Sequence, residues 1–141
     1  MLCATRDGSK NMEGKVNSLI ESKGLKGRVR LITDFLDDDV AVATLSKCEL
    51  LVFPYQNTKE SASGAVRMGV AAGVPLAVTP IPIFDDVDGA IRLRGRTVDE
   101  IVASISMLNQ DHLDSSRKSM VELRDSLQWD EVAKRIQERL K

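Results

Sequence analysis

A polar cluster lies where an alanine- and glycine-rich segment begins, and its residue types could bind a sugar phosphate. The cluster reads Lys59-Glu60-Ser61-Ala62-Ser63-Gly64. The serines supply hydroxyl groups, Glu60 can accept hydrogen bonds from sugar hydroxyls, and Gly64 lets a ligand approach the backbone. If a helix begins here, its first amide groups and the positive end of its dipole form a phosphate site.

The same cluster has a purely structural interpretation. Ser61 or Ser63 can cap a helix that runs to about Ala72, and the local pattern alone favours this explanation. The cluster has no glycine-rich phosphate fingerprint of the GxGxxG or Walker kind. Arg67 lies one turn into the helix and could meet either a phosphate or a neighbouring acid.

The elements around the cluster alternate between strand and helix patterns. Strands are predicted at residues 2–5, 29–32, 50–53, 76–78 and 91–93. Apolar spacing, acidic first turns and glycine stops predict helices before Gly24, from 37–39 to about 47, from 61 or 63 to 72, and at 98–108, 117–127 and 130–140.

This alternation predicts an α/β protein with a Rossmann-like, doubly wound parallel sheet. Ligands of such sheets bind outside the carboxyl ends of the strands, where we expect the loops 33–35, 54–63 and 79–86 to meet. The first predicted strand begins almost at residue 1. We therefore expect residues 1–141 to be one lobe of a larger protein.

The composition argues against several classes of function. A formal net charge of −1 leaves no basic excess for nucleic acid. Cys3 and Cys48 suggest reduced thiols, and His112 is the only histidine, so a metal site has almost no ligands to use. No apolar run approaches the roughly 20 residues of a membrane span, and no signal peptide is evident. We expect a soluble, cytoplasmic protein without a metal.

The order of these features resembles the C-terminal, donor-binding lobe of retaining GT-B glycosyltransferases, the glycosyltransferase group 1 family. That family has an apolar strand ending in Pro, a loop with Glu, a Gly- and Ser-containing turn, and a helix ending in Gly-x-Pro before a strand. This chain has "LLVFP", Glu60, Ser63-Gly64 and "GVPLAV" in that order. The segments "GLKGRVRLITDFLDDDVAVATLSKCELLVFP", "TVDEIVASI" and "WDEVAKRIQERL" are also similar, so the resemblance spans nearly all 141 residues.

The resemblance implies roles for individual residues. Glu60 matches the first of the family's two motif glutamates, which contacts and orients the transferred sugar, and is the expected catalytic residue. The turn at 61–64 matches the backbone that meets the donor diphosphate, and the loop at 33–36 matches a region that meets the nucleotide base. The expected donor-binding residues are therefore Asp34, Phe35, Glu60, Ser61, Ser63, Gly64 and Arg67.

The chain also departs from the family pattern. Met68 stands at the position of the second glutamate, eight residues after the first, and cannot accept ribose hydrogen bonds as a carboxylate does. The family's Arg and Lys pair, which neutralises the diphosphate, has no counterpart apart from Arg6. The N-terminal acceptor lobe also has no counterpart, so we expect that lobe, or other domains of a parent chain, as partner.

Three functional hypotheses follow. The first is a glycosyltransferase donor lobe that binds a nucleotide sugar, such as a UDP- or GDP-hexose, for transfer to a glycan or lipid-linked acceptor. It would need no cofactor, and its parent protein could associate peripherally with a membrane. The second is a degenerate, non-catalytic module, marked by Met68, with a role in assembly or regulation. The third is a free-standing flavodoxin-like protein that binds another phosphate-bearing ligand.

Overall fold

The fold comes from a computed structural model, which describes residues 10–57 and 60–140. The chain divides into two compact units, Met1–Asp38 and Asp39–Lys141. In the first unit, helix α1 spans Lys10–Ser22. Gly24 follows it with a φ of 63°. Glycine adopts this left-handed conformation without steric cost, so the predicted stop of the helix is confirmed.

Two strands were predicted in the first unit, and only the second of them falls among the described residues. The strand at 2–5 lies outside the described residues. The segment 29–32 has three apolar residues around Arg30, but a strand also needs hydrogen bonds to a neighbouring strand. Among the described residues, Val29 forms an isolated parallel bridge with Lys26, and Ile32 is also a bridge residue, but no continuous strand is described at 29–32.

The second unit is a mixed α/β structure in which helices and strands alternate, as the sequence predicted. Its first helix begins one residue before the unit boundary. The elements are α2 (Asp38–Leu45), β1 (Leu51–Phe53), α3 (Gly64–Ala72), β2 (Leu76–Val78), a 3-10 turn (Pro82–Phe84), β3 (Ile91–Arg92), α4 (Val98–Ser106), α5 (Gln110–Ser126) and α6 (Trp129–Arg139).

The three strands form a parallel sheet in the order β1-β2-β3. Leu51 pairs with Leu76 across the first two strands, and Ala77 pairs with Ile91 across the next two. Strand β2 is fully buried, as its continuous apolar sequence predicted. Because all three strands are parallel, their carboxyl ends lie along the same edge of the sheet.

The core lies between the sheet and helices α3 and α5. A β-carbon added to Gly69 would lie 2.9 Å from Leu76 Cδ2 and 3.3 Å from Leu51 Cδ1. The missing side chain therefore lets α3 pack closely against β1 and β2 at Gly69. The core cluster contains Leu51, Val66, Val70, Val74, Leu76, Val78, Ile81, Ile83, Phe84, Val87 and Met120.

The last two helices differ in how much they bury. Helix α5 packs against α3 and β2, and its Ser116 Oγ accepts a hydrogen bond from the Leu76 amide at 3.4 Å. Helix α6 contacts α5 but buries none of its side chains, and Trp129 is 85% exposed. Across residues 10–57 and 60–140, no helix combines the length and apolar character needed to cross a membrane.

Candidate functional site

The carboxyl edge of the sheet gathers the loops that follow its three strands. The predicted loops 54–63 and 79–86 follow β1 and β2, so the expectation that they share one edge is confirmed. The segment after β3, at 93–97, lies at the same edge and was not among the predicted loops. The predicted base-binding residues Asp34 and Phe35 belong to the first unit, where both are exposed.

Side-chain hydrogen bonds tie the three loops of this edge together. The hydroxyl of Thr79, just after β2, donates to the Tyr55 carbonyl oxygen after β1 at 2.8 Å. The Gln56 side-chain amide donates to the Arg96 carbonyl oxygen after β3 at 3.1 Å. Thr79 is fully buried, so its bond is shielded from water. The loop that leads into α3 is therefore fixed by hydrogen bonds to the neighbouring loops.

Ser63 caps α3, as one of the two predictions for this cluster required. Its Oγ accepts a hydrogen bond from the Val66 amide at 3.4 Å. The same oxygen shares a hydrogen bond with the Tyr55 hydroxyl at 3.1 Å, and Ser63 is only 7% exposed. The Ser63 side chain thus stabilises the start of the helix. A ligand at this turn would therefore be bound by backbone groups.

The first turn of α3 presents backbone amides on an open surface. The Arg67 amide makes the first i→i−4 bond of the helix, to the Ser63 carbonyl oxygen. The amides of Gly64 and Ala65 come before it, where a helix provides no acceptor of its own. Gly64 is exposed, and a β-carbon built there would meet no atom within 4 Å. The space beside the Gly64 α-carbon is therefore open to a ligand.

The remaining residues of the cluster are exposed or differently engaged. Glu60 and Ser61 lie exposed on the loop before the helix, three and two residues before the cap, respectively. Met68, at the position of the family's second glutamate, is half-buried. The structure therefore brings Glu60, Ser61, Ser63 and Gly64 into one short segment at the sheet edge.

Arg67 pairs with a neighbouring acid, which was one of its two predicted roles. Its guanidinium forms an ion pair with the carboxylate of Asp86, in the connection that follows β2. The two side chains remain 37% and 57% exposed. Arg67 is four residues after the N-cap Ser63, so it lies one helical turn from the start of α3. The cation is thus close to the helix start but already has a partner.

No protein-family model and no curated protein matches the chain. The function must therefore be argued from the chemistry of the site. Within residues 10–57 and 60–140, no group of three or more His, Cys, Asp or Glu side chains could hold a metal ion.

One ionisable group near this edge has a perturbed pKa. Hydrogen bonds from the Thr97 side chain and backbone, and from the Arg96 backbone, lower the pKa of Glu100. The Glu100 carboxylate accepts from both amides at 3.0 Å. It thereby closes a capping box at the start of α4 and fixes the loop whose Arg96 carbonyl receives Gln56.

Sequence analysis missed Tyr55 and Thr79, which organise the loop. The Tyr55 ring lies 5.2 Å from that of Phe84, between ring centroids, while its hydroxyl reaches Ser63. The sequence did carry a signal for them, because each is a hydroxyl-bearing residue one or two positions after an apolar strand. A buried hydroxyl group at the end of a strand needs a hydrogen-bond partner, and the closest polar groups belong to the other loops at the same edge of the sheet.

Proposed function

We propose that the second unit binds the diphosphate of a nucleotide sugar at the start of α3, as the donor lobe of a GT-B glycosyltransferase. The observation that carries the proposal is the open first turn of α3, with the amides of Gly64 and Ala65, at the carboxyl edge of a parallel sheet. That is where ligands of parallel α/β sheets bind and where helix dipoles favour phosphate. We also propose that the sheet is doubly wound and contains more strands than the three that are described.

The exposed residues before the cap suit the sugar end of such a ligand. In the proposal, Glu60 is the catalytic residue that orients the hexose through its hydroxyl groups, and Ser61 adds a hydroxyl contact. The α3 amides stabilise charge that develops on the departing diphosphate. The transfer proceeds without metal or other cofactor, to an acceptor held by a partner lobe.

A second candidate function is a non-catalytic module with a role in assembly or regulation. Two features favour it. Met68 stands where the family has a ribose-binding glutamate, and Arg67 is bound to Asp86. In this alternative the fold is retained while the donor site has decayed. The two candidates differ in one property, which is whether the chain binds a nucleotide diphosphate.

The distinguishing experiment is thermal unfolding with about 10 mM UDP, GDP or ADP, each tested separately. A site with a dissociation constant of about 1 mM would then stabilise the fold by about 1.4 kcal/mol, a shift of a few degrees. A shift with one nucleotide supports the donor lobe and names the base. The same melting temperature with all three would reject the donor site and favour the non-catalytic module.

Gly64→Ala gives this experiment its matched variant. The φ of Gly64 is not positive and the added methyl group would meet nothing in the protein, so the fold should be at least as stable as the parent. The methyl group would, however, occupy the path to the α3 amides. We therefore expect the nucleotide-induced shift to fall sharply in Gly64→Ala, and an undiminished shift would place the nucleotide elsewhere.

A further inference from the structure

We propose that Asp86 regulates the anion affinity of this edge by holding the Arg67 guanidinium, so that a diphosphate must compete with its carboxylate. The inference rests on the proposed function. The supporting observation is the ion pair itself, which joins α3 to the connection after β2. Asp86 thus acts as an internal competitor for the ligand.

The position of Arg67 gives it access to the helix start. Arg67 is four residues after the N-cap Ser63, so it lies one helical turn from the start of α3. The first-turn amides of Gly64 and Ala65 lie between these two residues in the chain. An anion held by those amides would therefore lie within one helical turn of a cation that Asp86 engages.

The ion pair between Arg67 and Asp86 is weak enough for a ligand to displace Asp86. Both side chains are more than one third exposed, at 37% and 57%. Exposed ion pairs are weak, and losing one changes an equilibrium by about five-fold at most. A diphosphate carries more negative charge than one carboxylate, and arginine binds phosphate oxygens in bidentate geometry. A ligand can therefore displace Asp86, with a measurable loss of affinity.

The test compares four variants by calorimetric titration with UDP, GDP and ADP. Asp86→Asn removes the competing charge and keeps the side-chain size. Asp88→Asn is the matched control, because it removes the same charge from an exposed position two residues further along the same connection. Arg67→Gln and the double variant Arg67→Gln/Asp86→Asn show whether any effect passes through the guanidinium. A melting curve of each variant checks that it is folded.

We expect Asp86→Asn to bind one nucleotide about two- to five-fold more tightly than the parent chain, with Asp88→Asn unchanged. Arg67→Gln should bind more weakly, and adding Asp86→Asn to it should restore nothing. Equal gains in Asp86→Asn and Asp88→Asn, or a gain that persists without Arg67, would overturn the inference and leave the donor site standing. Failure of every variant to bind any nucleotide would overturn the proposed function together with the inference.

Discussion

At the scale of single residues, Ser63 serves two partners through one oxygen atom. It accepts the Val66 amide and shares a hydrogen bond with the Tyr55 hydroxyl, in a position that is 7% exposed. Removing that oxygen would leave two polar groups without their partner in a part-buried place. Buried polar groups that lose a partner cost more than the bond itself gained.

Ser63→Ala is therefore expected to lower the free energy of unfolding by about 1 to 2 kcal/mol, in the upper range for lost helix caps. Chemical denaturation of the second unit measures this directly. Ser61→Ala is the matched control, because Ser61 is exposed and outside the helix, and it should leave stability unchanged. Equal losses in both variants would show that Ser63 is not the cap.

The residues that the sequence located correctly are those with local partners. Ser63 bonds to an amide three residues away, and Gly73 ends α3 with a φ of 66°, so both follow from nearby sequence. Tyr55 and Thr79 depend on partners 8 and 24 residues away. Such contacts arise only when the sheet brings loops together, so residue type alone could not assign them.

At the scale of elements, the packing of α3 on the sheet depends on Gly69. A β-carbon there would come within 2.9 Å of Leu76 Cδ2, and Leu76 is fully buried with little room to move. Gly69→Ala should lower the free energy of unfolding by about 1 kcal/mol, because overpacking outweighs the better helix propensity of alanine. Gly64→Ala is the control at the start of the same helix. A Gly69→Ala protein as stable as the parent would contradict this packing.

Helix α4 depends on a titratable cap. The hydrogen bonds that Thr97 and Arg96 donate favour the ionised form of Glu100 and lower its pKa in the folded protein. The Glu100 carboxylate therefore contributes its full share of the free energy of unfolding when the pH is above its pKa in the unfolded chain, about 4.3. That contribution is lost as the pH falls through the lower pKa of Glu100 in the folded protein.

Glu100→Gln tests this cap, because glutamine can still close the capping box but cannot ionise. We expect the parent chain to melt above the variant near neutral pH, and the difference to shrink as the pH falls below about 4. Glu49→Gln, which removes another exposed carboxylate, controls for net charge. A difference between parent and Glu100→Gln that is constant with pH would reject the ionised cap.

The helices show which element boundaries a sequence determines. The prediction for α3 was accurate because a serine cap and a glycine stop mark its ends. Helix α5 begins at Gln110, seven residues before the predicted 117. It starts there because the Asn109 side-chain oxygen accepts a hydrogen bond from the His112 amide, and His112 Nδ1 accepts one from the Asn109 amide. A histidine in that capping position is not a usual signal.

At the scale of the whole molecule, the described hydrophobic core lies entirely in the second unit. All the buried residues of the cluster, from Leu51 to Met120, fall within residues 39–141. A fragment of residues 39–141 should therefore fold by itself and unfold in one cooperative transition. Circular dichroism on heating measures this, and a fragment that melts without a transition would show that its stability depends on residues 1–38.

The general architecture followed from the sequence, but the extent of the sheet did not. Continuous apolar runs such as Leu76–Val78 predicted buried parallel strands, and the structure confirms a three-stranded parallel sheet. The segment 29–32 is also mostly apolar, but among the described residues it forms bridges and not a continuous strand. Propensity is local, whereas strand pairing depends on distant segments, so the sequence could not settle the number of strands.

The central claim is that a nucleotide diphosphate binds the first turn of α3. The most direct measurement is amide NMR of the ¹⁵N-labelled chain during titration with UDP, GDP and ADP. The account predicts that one nucleotide shifts the Gly64 and Ala65 amide signals most, with smaller shifts at Arg67 and little change in α5. Saturating shifts confined to other elements, or no shifts with any of the three nucleotides, would contradict it.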